Sequence, residues 1–253
     1  MDIKKYLDRI GYNGEVKPTL EVLRMLQKNH LLNVPFENLD IHYNKQIILD
    51  TASFFDKIIL RKRGGFCYEL NGLFYTLLVN SGFDAKIISA KVHNKENNYS
   101  AEYDHLAILV KIGEKEYLSD VGFGEFAFEP IELGLDKIQH DQRGDFIIEK
   151  HEENYYKVSK VENLQRIPEY IFTLDARHLK DFEGMCCYHQ TNPESHFKQK
   201  KLITIPTENG RITISGNHLK IVENGNIKQE EILDDASFKS NLEKYFNIAI
   251  DNK

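Results

Sequence analysis

From Leu20 to Leu32 the apolar residues Leu20, Val22, Leu23, Leu26 and Leu31 recur at helical spacing, and Pro18 followed by Thr19 supplies a start with a capping oxygen. The spacing predicts a helix there, a second over 53–60, and a third over 67–80, where Leu70, Leu73, Phe74, Leu77 and Leu78 share one stripe. Ser81-Gly82 gives the third a C-terminal stop. After Gly82 the texture changes. The segments DAKIISAKVHN, HLAILVKI, KEYLSDVGFG, DFIIEK and YYKVSKV are short, partly alternating, and rich in β-branched and aromatic residues, which predicts strands. The glycine of IGEKEY marks a hairpin turn, so 105–112 and 116–121 are expected side by side and antiparallel. The β texture returns over 202–227, and 234–248 closes with a helical pattern. Helices first and strands later indicate an α+β fold rather than a wound parallel sheet.

Of the 253 residues, 41% are hydrophobic and 11% aromatic, enough for a core that excludes water. The 33 basic and 39 acidic side chains leave a net charge of −6, which argues against a chain built to coat nucleic acid or an anionic membrane. No apolar run approaches the roughly 18 residues of a membrane span. The opening MDIKKYLDRIG is charged too often for an export signal. The three cysteines, with Cys186 and Cys187 adjacent, do not form a disulfide framework. A cytoplasmic protein is expected, without nucleic-acid or membrane partners and with its oligomeric state open.

Cys67 stands in RKRGGFCYELNG, at the start of the third helix, where the positive end of the helix dipole and the neighbouring Arg61, Lys62 and Arg63 would favour a thiolate. A lone cysteine is otherwise a small buried hydrophobe, but the Gly64-Gly65 turn and the polar flank point to reactivity. A thiol nucleophile needs a base, and the base an orienting group. His105 opens one strand of the expected hairpin and Asp120 ends the other, which makes them neighbours if register and face agree. The order Cys67, His105, Asp120 matches a papain-like arrangement, with the thiol on a helix and its partners on a sheet. Taken alone, His105 could be a strand-end histidine bonded to backbone, and Asp120 a turn cap.

The strings VPFENL (34–39), RGGFCYELNGLF (63–74), DHLAILV (104–110), DVGFG (120–124) and NPESHF (192–197) closely resemble, in this order and spacing, the arylamine N-acetyltransferases. The resemblance implies an N-terminal helical domain over 1–83, a central β-barrel over 84–194 and a C-terminal α/β lid over 195–253. It implies that Cys67 is acetylated by acetyl-CoA, that His105 is its base and that Asp120 orients His105. Acetyl-CoA would be the acyl-donor substrate, with no permanently bound cofactor and no metal, and an arylamine or arylhydrazine the acceptor. Phe36, Phe123 and Phe197 resemble the walls of the family's acceptor pocket, where a flat aryl ring gains stacking. Positions that touch CoA in relatives fall near Ala101, Glu102 and Thr204, although an acidic residue at 102 departs from the small ones expected. The same triad would also serve a thiol hydrolase or the family's amide synthase branch, and a catalytically inactive small-molecule binder would keep it as a relic.

Overall fold

The N-terminal third winds into helices because its apolar residues repeat at helical spacing and polar side chains stand where each helix must begin. The computed structural model describes residues 1–94 and 98–250. It places α1 at Ile3–Ile10, α2 at Leu20–Asn33, a two-residue strand β1 at Phe36–Glu37, and α3 at Leu39–His42. Next come α4 at Thr51–Phe54 and α5 at Cys67–Asn80. Asp2, Thr19 and Asp50 accept from the N–H groups of Lys5, Val22 and Ser53, each cap contributing about 1 kcal/mol. The helix expected over 53–60 takes a different form: α4 runs into a π-helical turn, Phe55–Leu60. Lys57 within that turn is buried, with its ammonium 2.8 Å from Asp40 and 2.9 Å from Glu69. An apolar stripe does not encode the need to bring one charged side chain inside, and π turns are rare single-turn features found frequently at functional sites.

The central strands form an eight-stranded antiparallel sheet. They are β2 (Asp84–Val92), β3 (His105–Ile112), β4 (Lys115–Ser119), β5 (Ile131–Glu132), β6 (Gln139–Asp141), β7 (Gly144–Lys150), β8 (Tyr156–Glu162) and β9 (Gln165–Phe172). Their spatial order is β5-β4-β3-β2-β9-β8-β7-β6. The two edges nearly meet. The Gln139 side chain accepts from the Glu132 N–H and donates to the Glu132 carbonyl, both at 2.7 Å, and so stands in for the missing ladder of a closed barrel. The expected hairpin is present, with Ile108 opposite Ser119 and Ile112 opposite Lys115. β9 escapes the sequence patterns because Pro168 interrupts it, and the sheet absorbs that residue with a register shift at Val158/Ser159.

The chain then forms α6 (Glu183–Thr191) and α7 (His196–Gln199). Strands β10 (Leu202–Thr207), β11 (Gly210–Ser215), β12 (His218–Glu223) and β13 (Asn226–Glu231) follow, closed by α8 (Asp235–Phe246). These four strands and β1 make a second antiparallel sheet, in which Phe36 pairs with Thr204 and Glu37 with Ile203. The uninterrupted apolar run of β3 follows from burial on both faces. Leu106, Ile108 and Val110 lie in the helical core and meet α5, while Ala107 and Leu109 face Leu118, Phe146, Tyr170 and Phe172 inside the barrel.

His30 is buried in the helical core with its Nδ1 2.7 Å from the Tyr6 hydroxyl, and burial pushes its imidazole down to about 3. The unfolded chain therefore binds a proton that the folded chain refuses. The stability this gives is complete above the unfolded pKa of about 6.5 and falls by about 1.4 kcal/mol per pH unit below it. The destabilisation caused by His30→Gln, measured by urea unfolding, is expected to shrink with that slope between about pH 5.5 and pH 4.5. A difference constant with pH would contradict this.

Candidate active site

The turn before Cys67 is held so tightly that only glycine fits: a Cβ on Gly64 would lie 2.1 Å from the Pro35 carbonyl oxygen. The Glu37 N–H donates to the Gly65 carbonyl at 2.8 Å and fastens this turn to β1. Glu69 Oε2 accepts from the Phe66 N–H at 3.1 Å and fixes the first turn of α5, whose first residue is Cys67. Arg63 is buried, 2.6 Å from Glu37 and 3.0 Å from Asp40. Arg61 reaches Asp56 on the surface. Arg61 and Arg63 are spent on carboxylates, which corrects the expectation that these two bias the thiol. Arg63 anchors the turn.

On the sheet, continuing the β3–β4 register by one residue sets Asp120 opposite Ala107, two positions from His105 and on the same face. The His105 Nε2 to Asp120 Oδ2 distance is 2.6 Å, with both side chains buried. Asp120 Oδ2 also accepts from the Tyr170 hydroxyl at 3.0 Å, and Oδ1 accepts from Asn71 Nδ2 at 2.8 Å and the Gly122 N–H at 2.9 Å. Burial would raise this carboxyl, but His105, Asn71 and Gly122 hold it below the usual carboxylate range. An ionised carboxylate only accepts, so His105 carries its proton on Nε2 and leaves Nδ1 free as a base. Cys67 approaches from the helical side with its sulfur against the Leu106 N–H, one residue beyond His105. Burial, with Asp104 and Asp120 nearby, pushes the thiol well above its ordinary value. A thiol so placed is ionised most easily by a neighbouring base that becomes positive as the sulfur becomes negative. Gly122 permits the approach, since a Cβ there would lie 2.9 Å from Cys67 Cα.

A family model described as N-acetyltransferase matches residues 19–253. The pineal gland isozyme NAT-3 of arylamine N-acetyltransferase from Gallus gallus is 33% identical over 279 aligned residues, which cover 100% of this chain and 96% of that protein. The arylamine N-acetyltransferase structure from Salmonella typhimurium superposes with a TM-score of 0.92 at 25% identity, over 99% of this chain and 92% of the other. That of Mycobacterium marinum in complex with CoA gives 0.89 at 27% identity, over 98% and 93%. The chain belongs to the arylamine N-acetyltransferase family. It is an acetyl-CoA-dependent acyltransferase, with acetyl-CoA as a substrate and the papain-like α+β fold of that family.

The residues named as acceptor walls fall into two groups. Phe123 lies with its ring centre 5.2 Å from His105 and 5.0 Å from Tyr170. Phe36 and Phe197 lie on the Cys67 side, 6.0 Å apart, and Phe197 also meets Phe66. The positions named for CoA are separated. Thr204 is in β10, where its hydroxyl accepts from Arg211 Nη1 at 3.0 Å. Ala101 and Glu102 precede β3, and the Glu102 carboxylate is taken by the Tyr155 hydroxyl at 2.9 Å and Lys91 at 3.5 Å. The expected anomaly of an acidic residue at 102 is thereby neutralised within the sheet. A cleft of about 660 Å³ adjoins the DVGFG loop at Glu125 and is bordered by Arg143, Arg211, Thr213 and Lys220. Arg211 links this cleft to the loop by donating to the Gly124 carbonyl at 2.7 Å.

Sequence reasoning missed Asn71 and Tyr170. Asn71 was accessible in principle, since it lies one helical turn after Cys67 on the same face. Tyr170 had no local signal, because β9 reaches the site only through the sheet order β3-β2-β9.

Proposed function

We propose that this chain moves an acetyl group from acetyl-CoA to the amino nitrogen of an arylamine or arylhydrazine, with Cys67 carrying the group between the two. The observation that supports this most is the Asp120–His105 pair at 2.6 Å, set beside a thiol that burial keeps protonated. His105 Nδ1 takes the thiol proton as sulfur attacks the thioester carbonyl. The Nε2–H to Asp120 contact stabilises the imidazolium formed. N–H groups at the start of α5 face the developing oxyanion. CoA leaves with the proton from His105; the amine then attacks acetyl-cysteine as His105 accepts its proton, the C–S bond breaks, and the expelled Cys67 thiolate recovers that proton from His105.

Phe123, Phe36 and Phe197 supply flat apolar walls for an aryl ring. Arg143, Arg211 and Lys220 offer the cleft beside the DVGFG loop to the phosphates of CoA, with Thr204 behind them. Among the described residues no helix is long and apolar enough to cross a membrane. The three unpaired cysteines suit the cytoplasm, where we place the protein. Because one sulfur serves both substrates in turn, initial rates with acetyl-CoA varied at several fixed arylamine concentrations should give parallel double-reciprocal lines. Intersecting lines would mean direct transfer in a ternary complex and would overturn the proposal.

A further inference from the structure

A second acid–imidazole pair stands beside the site and has no part in the chemistry above. Asp104 directly precedes His105, and its Oδ1 lies 3.1 Å from His189 Nε2 on α6. His189 is only 5% exposed, and its Nε2 contact is what holds the Asp104 carboxylate in place. Its Nδ1 is held by the Ser195 hydroxyl at 3.1 Å. The ring meets Phe197 edge-on with centres 5.0 Å apart, and also packs against Tyr68. Asp104 keeps 19% of its side chain open. Burial would raise its carboxyl, but His189, Ser100 and His105 hold it below the usual range, and it leads Asp120 among the charges acting on Cys67. A partly dry carboxylate, held by a buried imidazole that packs on Phe197, thus lies close to the thiol. Such groups reward an occupant that donates to the carboxylate and penalise one that brings a second negative charge.

We propose that Asp104, steadied by His189, is a specificity-determining residue that favours acceptors whose ring substituent donates a hydrogen bond and rejects acceptors bearing a carboxylate. This rests on the acetyl-transfer reading and goes beyond it, from aryl amines in general to neutral or donor-substituted ones. Two probes of nearly equal shape separate the effect: 4-aminobenzamide and 4-aminobenzoate. In a two-step scheme kcat/KM for the acceptor starts from the acetylated enzyme, and a change in the sulfur as leaving group acts on both probes alike. Comparing the ratio of the two probes between enzymes cancels their intrinsic difference in amine reactivity.

The 4-aminobenzoate to 4-aminobenzamide ratio is expected to rise about tenfold or more in Asp104→Asn. Asp104→Ser, smaller and still able to bond His189, should give the same direction should the amide fold poorly. In His189→Gln, which keeps the carboxylate, the ratio should stay within about twofold of the wild-type value. A ratio unchanged in both Asp104 variants, with aniline still acetylated, would overturn the inference and leave the acetyl-transfer reading intact. Failure of the wild-type protein to acetylate any of the three amines would instead overturn both.

Discussion

Replacing Cys67 with alanine is expected to lower acetyl transfer by about 10⁴ or more while the protein stays folded. The two consequences come from different features of one residue. Cys67 is 3% exposed, and removing its sulfur takes away one small apolar atom, a loss of about 1 kcal/mol. The turn that presents it is anchored by other groups: the Gly65 carbonyl on β1, Arg63 on Glu37 and Asp40, and Glu69 on the Phe66 N–H. All of these survive the substitution. Thermal unfolding near the wild-type midpoint together with lost transfer would match the account. Transfer retained within tenfold would show that the sulfur never holds the acetyl group.

Asp120→Asn should cost about 10⁴ in turnover, despite near-identical shape, because the surrounding donors dictate how the new amide must sit. Oδ1 receives two N–H donors, from Asn71 and Gly122, so the amide oxygen is forced to that side. The amide nitrogen then occupies the place of Oδ2, facing the Tyr170 hydroxyl and His105 Nε2. An NH₂ group there donates, so His105 must present a bare Nε2 and move its proton to Nδ1, the nitrogen needed as base. Single-turnover CoA release on mixing with acetyl-CoA reads this step directly. A loss under tenfold would mean that His105 is oriented by something other than Asp120.

The hairpin of β3 and β4 and the extent of α5 were legible because short-range rules set them: a glycine turn, an apolar stripe and a Ser-Gly stop. His105 and Asp120 could be paired from sequence for the same reason, since 15 residues and one turn join them. Contacts created by long-range closure carried no such signal. Phe36 opposite Thr204 joins segments far apart in the chain, and Tyr170 reaches Asp120 across 50 residues of sequence. The effect of local charge is misread for a related reason. Arg61 and Arg63 look free to act on Cys67 when only neighbours in sequence are weighed, yet Glu37 and Asp40, brought in by the fold, claim Arg63 first.

Intact mass of the protein after brief mixing with acetyl-CoA, without any amine, tests the central claim most directly. A single added acetyl group on Cys67, formed with about one equivalent of released CoA and discharged on adding an arylamine, is the expected result. An unmodified protein that nonetheless acetylates the amine, or an adduct confined to Cys186 or Cys187, would contradict it.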